Sequence, residues 1–193
     1  MNAPAVSRRS WCRVVSAGCA GFLAGDARSK GELSPAKPAM PALGRDRFPH
    51  LDLFDLAGSP ASLPVVAGQA RVVNFWARWC GPCRRELPSL QRLAGRLNAP
   101  GAGLPIAVQT VAMDDDAFAL REYLVDVRLP RLAVWRLVPT QVPKSLAVSS
   151  LPQTFVVDRK GVVLARMVGA REWDSDDLIS ELHALVRREA SDG

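Results

Sequence analysis

The chain is poor in the residues from which metal centres and many catalytic clusters are built. Its 193 residues include four cysteines, two histidines and one tyrosine. A structural zinc site takes four ligands, usually as two paired half-sites. Only Cys80 and Cys83 stand close together with a half-site spacing, and His50 and His183 are isolated from them and from each other. A long apolar run is also missing. The most apolar early stretch, "VVSAGCAGFLAG" (14–25), is twelve residues, where a membrane span needs about 20. Nor does the bulk of the chain carry a strong excess of one charge. The formal net charge is +6, but residues 1–47 hold eight basic and three acidic side chains, whereas residues 48–193 hold 17 and 16. A basic footprint for nucleic acid is therefore absent from the part that has the patterns of a folded domain, and nucleic acid is excluded as a partner.

What residues 1–27 do contain has the order of an export signal. Arg8 and Arg9 come first, then the short apolar stretch, then small residues around Ala27. The segment "SRRSWCR" (7–13) matches the twin-arginine consensus in part, with Trp11, Cys12 and Arg13 where Phe, Leu and Lys are usual. Twin-arginine and general secretory export both stay open, and a disordered basic tail is the alternative reading. Residues 28–47, rich in Pro, Gly, Ala and basic side chains without apolar periodicity, read as a flexible linker. Cys12 and Cys19 belong to the leader, so the mature chain keeps Cys80 and Cys83 alone.

From Phe48 onward the pattern is that of an α/β domain. "HLDLFDL" (50–56) with the turn "AGSP" (57–60) predicts an N-terminal strand or hairpin. "RVVNFWA" (71–77) is nearly continuous and β-branched, as a buried central strand requires. "WCGPC" (79–83) follows, and then Leu87, Leu90, Leu93 and Leu97 recur at helical spacing. Further strands are predicted at 105–113 and 131–138, a helix over 115–127, a hairpin at 151–158 and 162–168 around the turn 159–161, and a closing helix over 174–189. Strands alternating with helices and a late hairpin give a mixed sheet in an α/β sandwich. No internal repeat is present.

The CxxC pair is the centre of the chemistry. A disulfide between residues three apart closes a small loop and removes little unfolded-chain entropy, so a purely structural staple is a weak reading. A cysteine between a central strand and a helix sits instead among unpaired backbone N–H groups at the positive end of the helix dipole, which favours thiolate. Cys80 is that residue and is expected to be partly exposed. Cys83, one turn on, is expected to be more buried and within reach of the same sulfur. Attack by Cys80 on a disulfide and resolution by Cys83 is the reaction this arrangement suits.

"VVNFWARWCGPCRRELPSL" (72–90), followed by "LPQTF" (151–155), resembles the thioredoxin-like thiol:disulfide oxidoreductases of the TlpA/ResA/CcmG group, over residues 48–190. The resemblance implies a thioredoxin-like fold with a central mixed β-sheet flanked by helices, an N-terminal β-hairpin extension and a central βα insertion. It implies Cys80 as nucleophile, Cys83 as resolving thiol, Pro152 as a cis-proline beside the site and Pro88 as a helix-kinking proline. Glu86 takes the place of the acidic residue near the thiols, with Trp79, Gly81, Pro82 and Asn74 in support. Asn74 stands where thioredoxins carry a buried aspartate. An amide cannot titrate, so Glu86 is the expected proton acceptor for Cys83.

Gly81–Pro82 is also the dipeptide of thioredoxin, whose potential is about −270 mV, and no histidine lies between the cysteines to hold a thiolate. The implied activity is reduction of disulfides in envelope proteins, with no cofactor and no metal, in the periplasm or cell envelope. Clients of the apocytochrome c or oxidase copper-site kind and a membrane thiol electron donor of the DsbD/CcdA kind are what the resemblance implies as partners. "VSSLPQT" (148–154) replaces the "GVxGxPET"-like loop of CcmG, so a general TlpA-like reductase fits better. Two rivals differ in class. A peroxiredoxin would want Thr where this chain has Ala77 and would lack Cys83. A non-enzymatic copper or haem delivery module would not depend on Cys80.

Overall fold

A computed structural model describes residues 46–130 and 132–191. The expected leader (1–27) and nearly all of the expected linker (28–47) lie outside the described residues. The last two linker positions are already part of the sheet's surroundings: Arg47 forms an isolated bridge with Val162, and Val163 N–H donates to the Asp46 carbonyl.

The elements run β1 (Leu53–Phe54), β2 (Pro60–Ala61), β3 (Ala70–Trp76), α1 (Gly81–Leu97), β4 (Ile106–Met113), α2 (Ala117–Val127), β5 (Ala133–Leu137), two 3-10 turns (Pro139–Gln141 and Lys144–Leu146), β6 (Gln153–Val157), β7 (Val163–Val168) and α3 (Asp176–Ser191). The seven strands form one sheet in the order β2-β1-β5-β4-β3-β6-β7. β3, β4 and β5 are parallel neighbours, while β6 and β7 on one side and β1 and β2 on the other run antiparallel. This is the mixed sheet of the thioredoxin-like fold. β3 is buried along its whole length at the centre, which is why it reads as a continuous apolar run.

Local chemistry sets the helix starts. Cys80 caps α1, its sulfur accepting from Cys83 N–H at 3.3 Å, and Pro82 in the first turn needs no intrahelical partner. Asp116 caps α2 through Ala119 N–H at 2.9 Å, and the Ser175 hydroxyl accepts from Leu178 N–H ahead of α3. The helix α1 runs on through Pro88 with that proline inside it. In the turn before β7, Asp158 Oδ1 accepts from Lys160 and Val162 N–H, and Gly161 takes the positive φ of 84°.

Both crossovers, β3-α1-β4 and β4-α2-β5, step in the same direction along the sheet, and right-handed connections then place α1 and α2 on one face. Leu87, Leu90 and Leu93 of α1, Leu120 of α2 and Leu178 and Leu182 of α3 accordingly join one core cluster with Val72 and Trp76. Val73 and Phe75 alternate to the other face. There they pack with Leu51, Leu53, Leu137, Leu146 and Phe155, so the N-terminal segment and a 3-10 turn cover that side. Among the described residues no helix is long and apolar enough to cross a membrane.

Candidate active site

Strand β3 ends at Trp76, and the chain turns through Trp79 into α1, delivering Cys80 and Cys83 to the edge of the helix-covered face. The two cysteines are joined as a disulfide with Cα atoms 5.3 Å apart. Cys83 is fully buried. Cys80 is 6% exposed, more enclosed than the partly exposed side chain expected there, its sulfur being bonded to the buried Cys83 and accepting from Cys83 N–H. Trp79 next to it is 67% exposed, and Gly81 and Pro82 lie on the open side.

Below the disulfide lies a chain of buried polar groups. Asn74 on β3, with no exposed surface, donates through Nδ2 to Glu86 Oε1 and to Thr154 Oγ1, each at 2.8 Å. Glu86, 2% exposed, also accepts at Oε2 from Trp173 Nε1 and from Arg171 N–H, both at 3.1 Å. Ser89, one turn along α1, donates to the Glu86 carbonyl and accepts from Trp173 N–H at 3.0 Å. Burial pushes the Glu86 carboxyl above its ordinary pKa. The donors on Asn74, Trp173 and Arg171 pull in the opposite direction without reversing the shift. Glu86 follows Cys83 by three residues, a spacing that puts both on one helix face. Among the described residues the Asn74 carbonyl oxygen Oδ1 is buried without a partner, an acceptor on β3 at the heart of this network.

The Leu151–Pro152 peptide bond is cis. β6 pairs antiparallel with β3 up to Phe75 opposite Gln153, so Pro152 lies one step further, beside the end of β3 from which the cysteines emerge. Its carbonyl accepts from Gly169 N–H at 2.9 Å, tying that loop to the 169–173 segment that carries Arg171 and Trp173. On the other flank Arg78 N–H donates to Asp114 Oδ2 at 2.9 Å. Burial raises the pKa of Asp114 and Arg78 opposes the shift.

The structure thus gathers Asn74, Trp79, Cys80, Gly81, Pro82, Cys83, Glu86 and Pro152 around the end of β3. Thr154, Ser89, Arg171 and Trp173 belong with them. Thr154 and Ser89 lie inside the two stretches that carry the resemblance, which assigns them no role, and Arg171 and Trp173 lie outside both. The contacts that join these residues to the site span about eighty residues. His50 is exposed beside Asp52, and His183 lies on α3.

A disulfide at the mouth of α1, on a seven-stranded mixed sheet with the cis-proline strand beside it, defines a thioredoxin-like thiol:disulfide oxidoreductase. The chain belongs to the AhpC/TSA family, whose model matches residues 45–166. It is 27% identical over 125 residues to the thiol-disulfide oxidoreductase ResA of Bacillus cereus, covering 63% of this chain and 67% of the relative. With the thiol:disulfide interchange protein DsbE of Pseudomonas fluorescens it shares 28% identity over 158 residues, 80% of this chain and 83% of the relative. Among solved structures, one from Chlorobium tepidum assigned as a DsbE thiol:disulfide interchange protein superimposes with a TM-score of 0.59 at 27% identity. That match covers 77% of this chain and 99% of the other.

Proposed function

We propose that the protein is an exported reductant of disulfides in envelope proteins. The single observation that carries this reading is the pairing of the Cys80–Cys83 disulfide with a buried carboxyl, Glu86, one turn behind it on the same helix face.

In the reduced protein the Cys80 thiolate attacks a client disulfide, forming a bond to one client sulfur and releasing the other as thiolate. Glu86 takes the proton from Cys83, and the resulting thiolate attacks Cys80 Sγ. The mixed disulfide breaks, the second client thiolate leaves, and Cys80–Cys83 becomes the disulfide. Two electrons pass to the client; the Cys83 proton, held on Glu86, and one proton from solvent end on the two client thiolates. Burial suits Glu86 to this step because it raises the carboxyl's proton affinity, while its three donors fix the carboxylate in place. Asn74 orients the carboxylate and does not titrate. Pro152 flanks the site where the client backbone arrives, and Trp79, Gly81 and Pro82 form its open rim.

The export-signal pattern of residues 1–27, followed by a linker over 28–47 and the domain over 48–190, supports action in the periplasm or envelope. In that oxidising setting a membrane thiol donor of the DsbD/CcdA kind returns the pair to the reduced state. Apocytochromes c and oxidase copper-site proteins are the client classes this reading names.

Expression of Cys83→Ala in its native envelope tests the reading. Client proteins trapped on Cys80 through reducible bonds are expected, and an empty trap overturns it. A measured potential above about −150 mV would reverse the direction of transfer. Family membership in AhpC/TSA gives a peroxidase reading a specific footing, and Ala77 speaks against it. Peroxide consumption by Cys83→Ser decides between them.

A further inference from the structure

The rim of the disulfide is basic on one side, and nothing in the redox step described above uses that charge. Arg84 and Arg85 follow Cys83 directly, both exposed. The guanidinium of Arg85 lies over Gly81, 3.8 Å from the position a Cβ there would take. Arg84 stands near enough to Tyr123 of α2 for its charge to act on that hydroxyl. Arg85 therefore lies over the residue that follows Cys80, and Arg84, whose N–H donates to the Cys80 carbonyl, sits one turn along on the side toward α2.

This placement costs stability. Cations near a helix N-terminus oppose the helix dipole. No acidic side chain lies in the first turn of α1. Among the described residues neither guanidinium makes an ion pair, in contrast to Arg92 and Arg96 further along α1, which hold Glu172, Asp174 and Asp176. The other flank of the rim differs. There Arg78 is paired to Asp114, and Asp115 and Asp116 are exposed. Between the flanks stands the exposed indole of Trp79. Among the described residues the rim is thus polarised, with two cations that make no ion pair on the α1 side.

We propose that Arg84 and Arg85 select clients whose reactive disulfide is flanked by acidic residues, the client chain lying across Trp79 with its carboxylates over the first turn of α1. This rests on the disulfide-reductase reading and adds a substrate class to it. Complementary charge raises the encounter rate and disfavours client segments of the wrong sign. A client thiolate developing at Cys80 meets the same two cations.

The test uses the reduced full-length protein and two synthetic peptides, each with one internal disulfide and the same sequence except for flanking Glu pairs or Lys pairs. The neutral 2-hydroxyethyl disulfide serves as reference. At low ionic strength the Glu peptide is expected to be reduced about tenfold faster than the Lys peptide. The gap should close toward about 0.5 M salt, where the screening length falls to a few ångströms. In Arg84→Gln/Arg85→Gln the Glu-to-Lys ratio is expected to collapse toward one. A ratio read within one protein cancels any change in the Cys80 thiolate itself. Equal rates for the two peptides in the native protein, or a ratio that the double variant leaves intact, overturn the charge selection alone. Failure to reduce either peptide or the reference overturns the reductase reading.

Discussion

On the helix-covered face of the sheet, Asn74, Thr154, Glu86, Ser89 and Trp173 bond to one another beneath the disulfide. On the opposite face, Phe48, Phe75 and Phe155 pack edge to face or tilted, with ring centres 5.7 to 6.5 Å apart. Adjacent residues of one strand serve both, since Asn74 points one way and Phe75 the other. The polar residues Gln109 and Gln153 are used differently from Asn74 and Glu86. Each donates to a backbone carbonyl, Pro64 at 2.6 Å and Leu146 at 3.5 Å, tying connecting segments to the sheet. One face holds the fold together mainly by apolar contact. The other accepts the cost of a buried carboxyl, a burden that stability alone does not explain.

That contrast can be broken from either side. The largest effect on folding is expected from Phe155→Ala, which empties part of the aromatic cluster and should cost about 3–5 kcal/mol in urea unfolding. Disulfide reduction by the folded fraction should persist, and its loss would mean that the two faces are not separable. Trp173→Phe is expected to be milder, about 1.5–3 kcal/mol, for one hydrogen bond to a charged group. It should also push the Glu86 carboxyl further up, because a donor to the ionised form is gone. A variant that loses stability without moving that titration would leave Glu86 a packing residue.

A smaller effect, and one with a definite sign, concerns stability against pH. Glu86 has a folded pKa above its unfolded one, so the native state binds the extra proton. Its contribution is fully present below the unfolded carboxylate range, about pH 4.3, and is lost as pH rises through the higher folded value. Glu86→Gln should flatten that decline in a series of unfolding curves across the window. An unchanged pH slope would show that Glu86 is not perturbed.

Much of this architecture was legible in the sequence because it is local. β3 is a continuous apolar run, α1 repeats leucine at helical spacing, and Asp116 and the Asp158–Gly161 turn carry their own capping chemistry. Arg136, a charge within the mostly apolar stretch that forms β5, stacks over Phe54 at 4.8 Å and donates to the Asp114 carbonyl, so it belongs in an intermediate-exposed strand. The N-terminal hairpin was legible as a hairpin, but its pairing with β5 was not, since a contact of Phe54 with Arg136 has no local mark. The same holds for Trp173 and Thr154. Cys80, Cys83 and Glu86 follow from spacing and resemblance, whereas the donors that position Glu86 come from segments that only the folded chain brings together.

The central claim is that the buried carboxyl beside the thiols moves a proton. Its most direct test is the pH profile of the single-turnover step in which Cys83 releases a client from Cys80, compared between the native protein and Glu86→Gln. The rate at neutral pH is expected to fall on the order of 100-fold, the usual scale for a positioned base. The limb of the profile set by Glu86 should vanish, leaving one rise in the ordinary thiol range. Identical profiles would contradict the account.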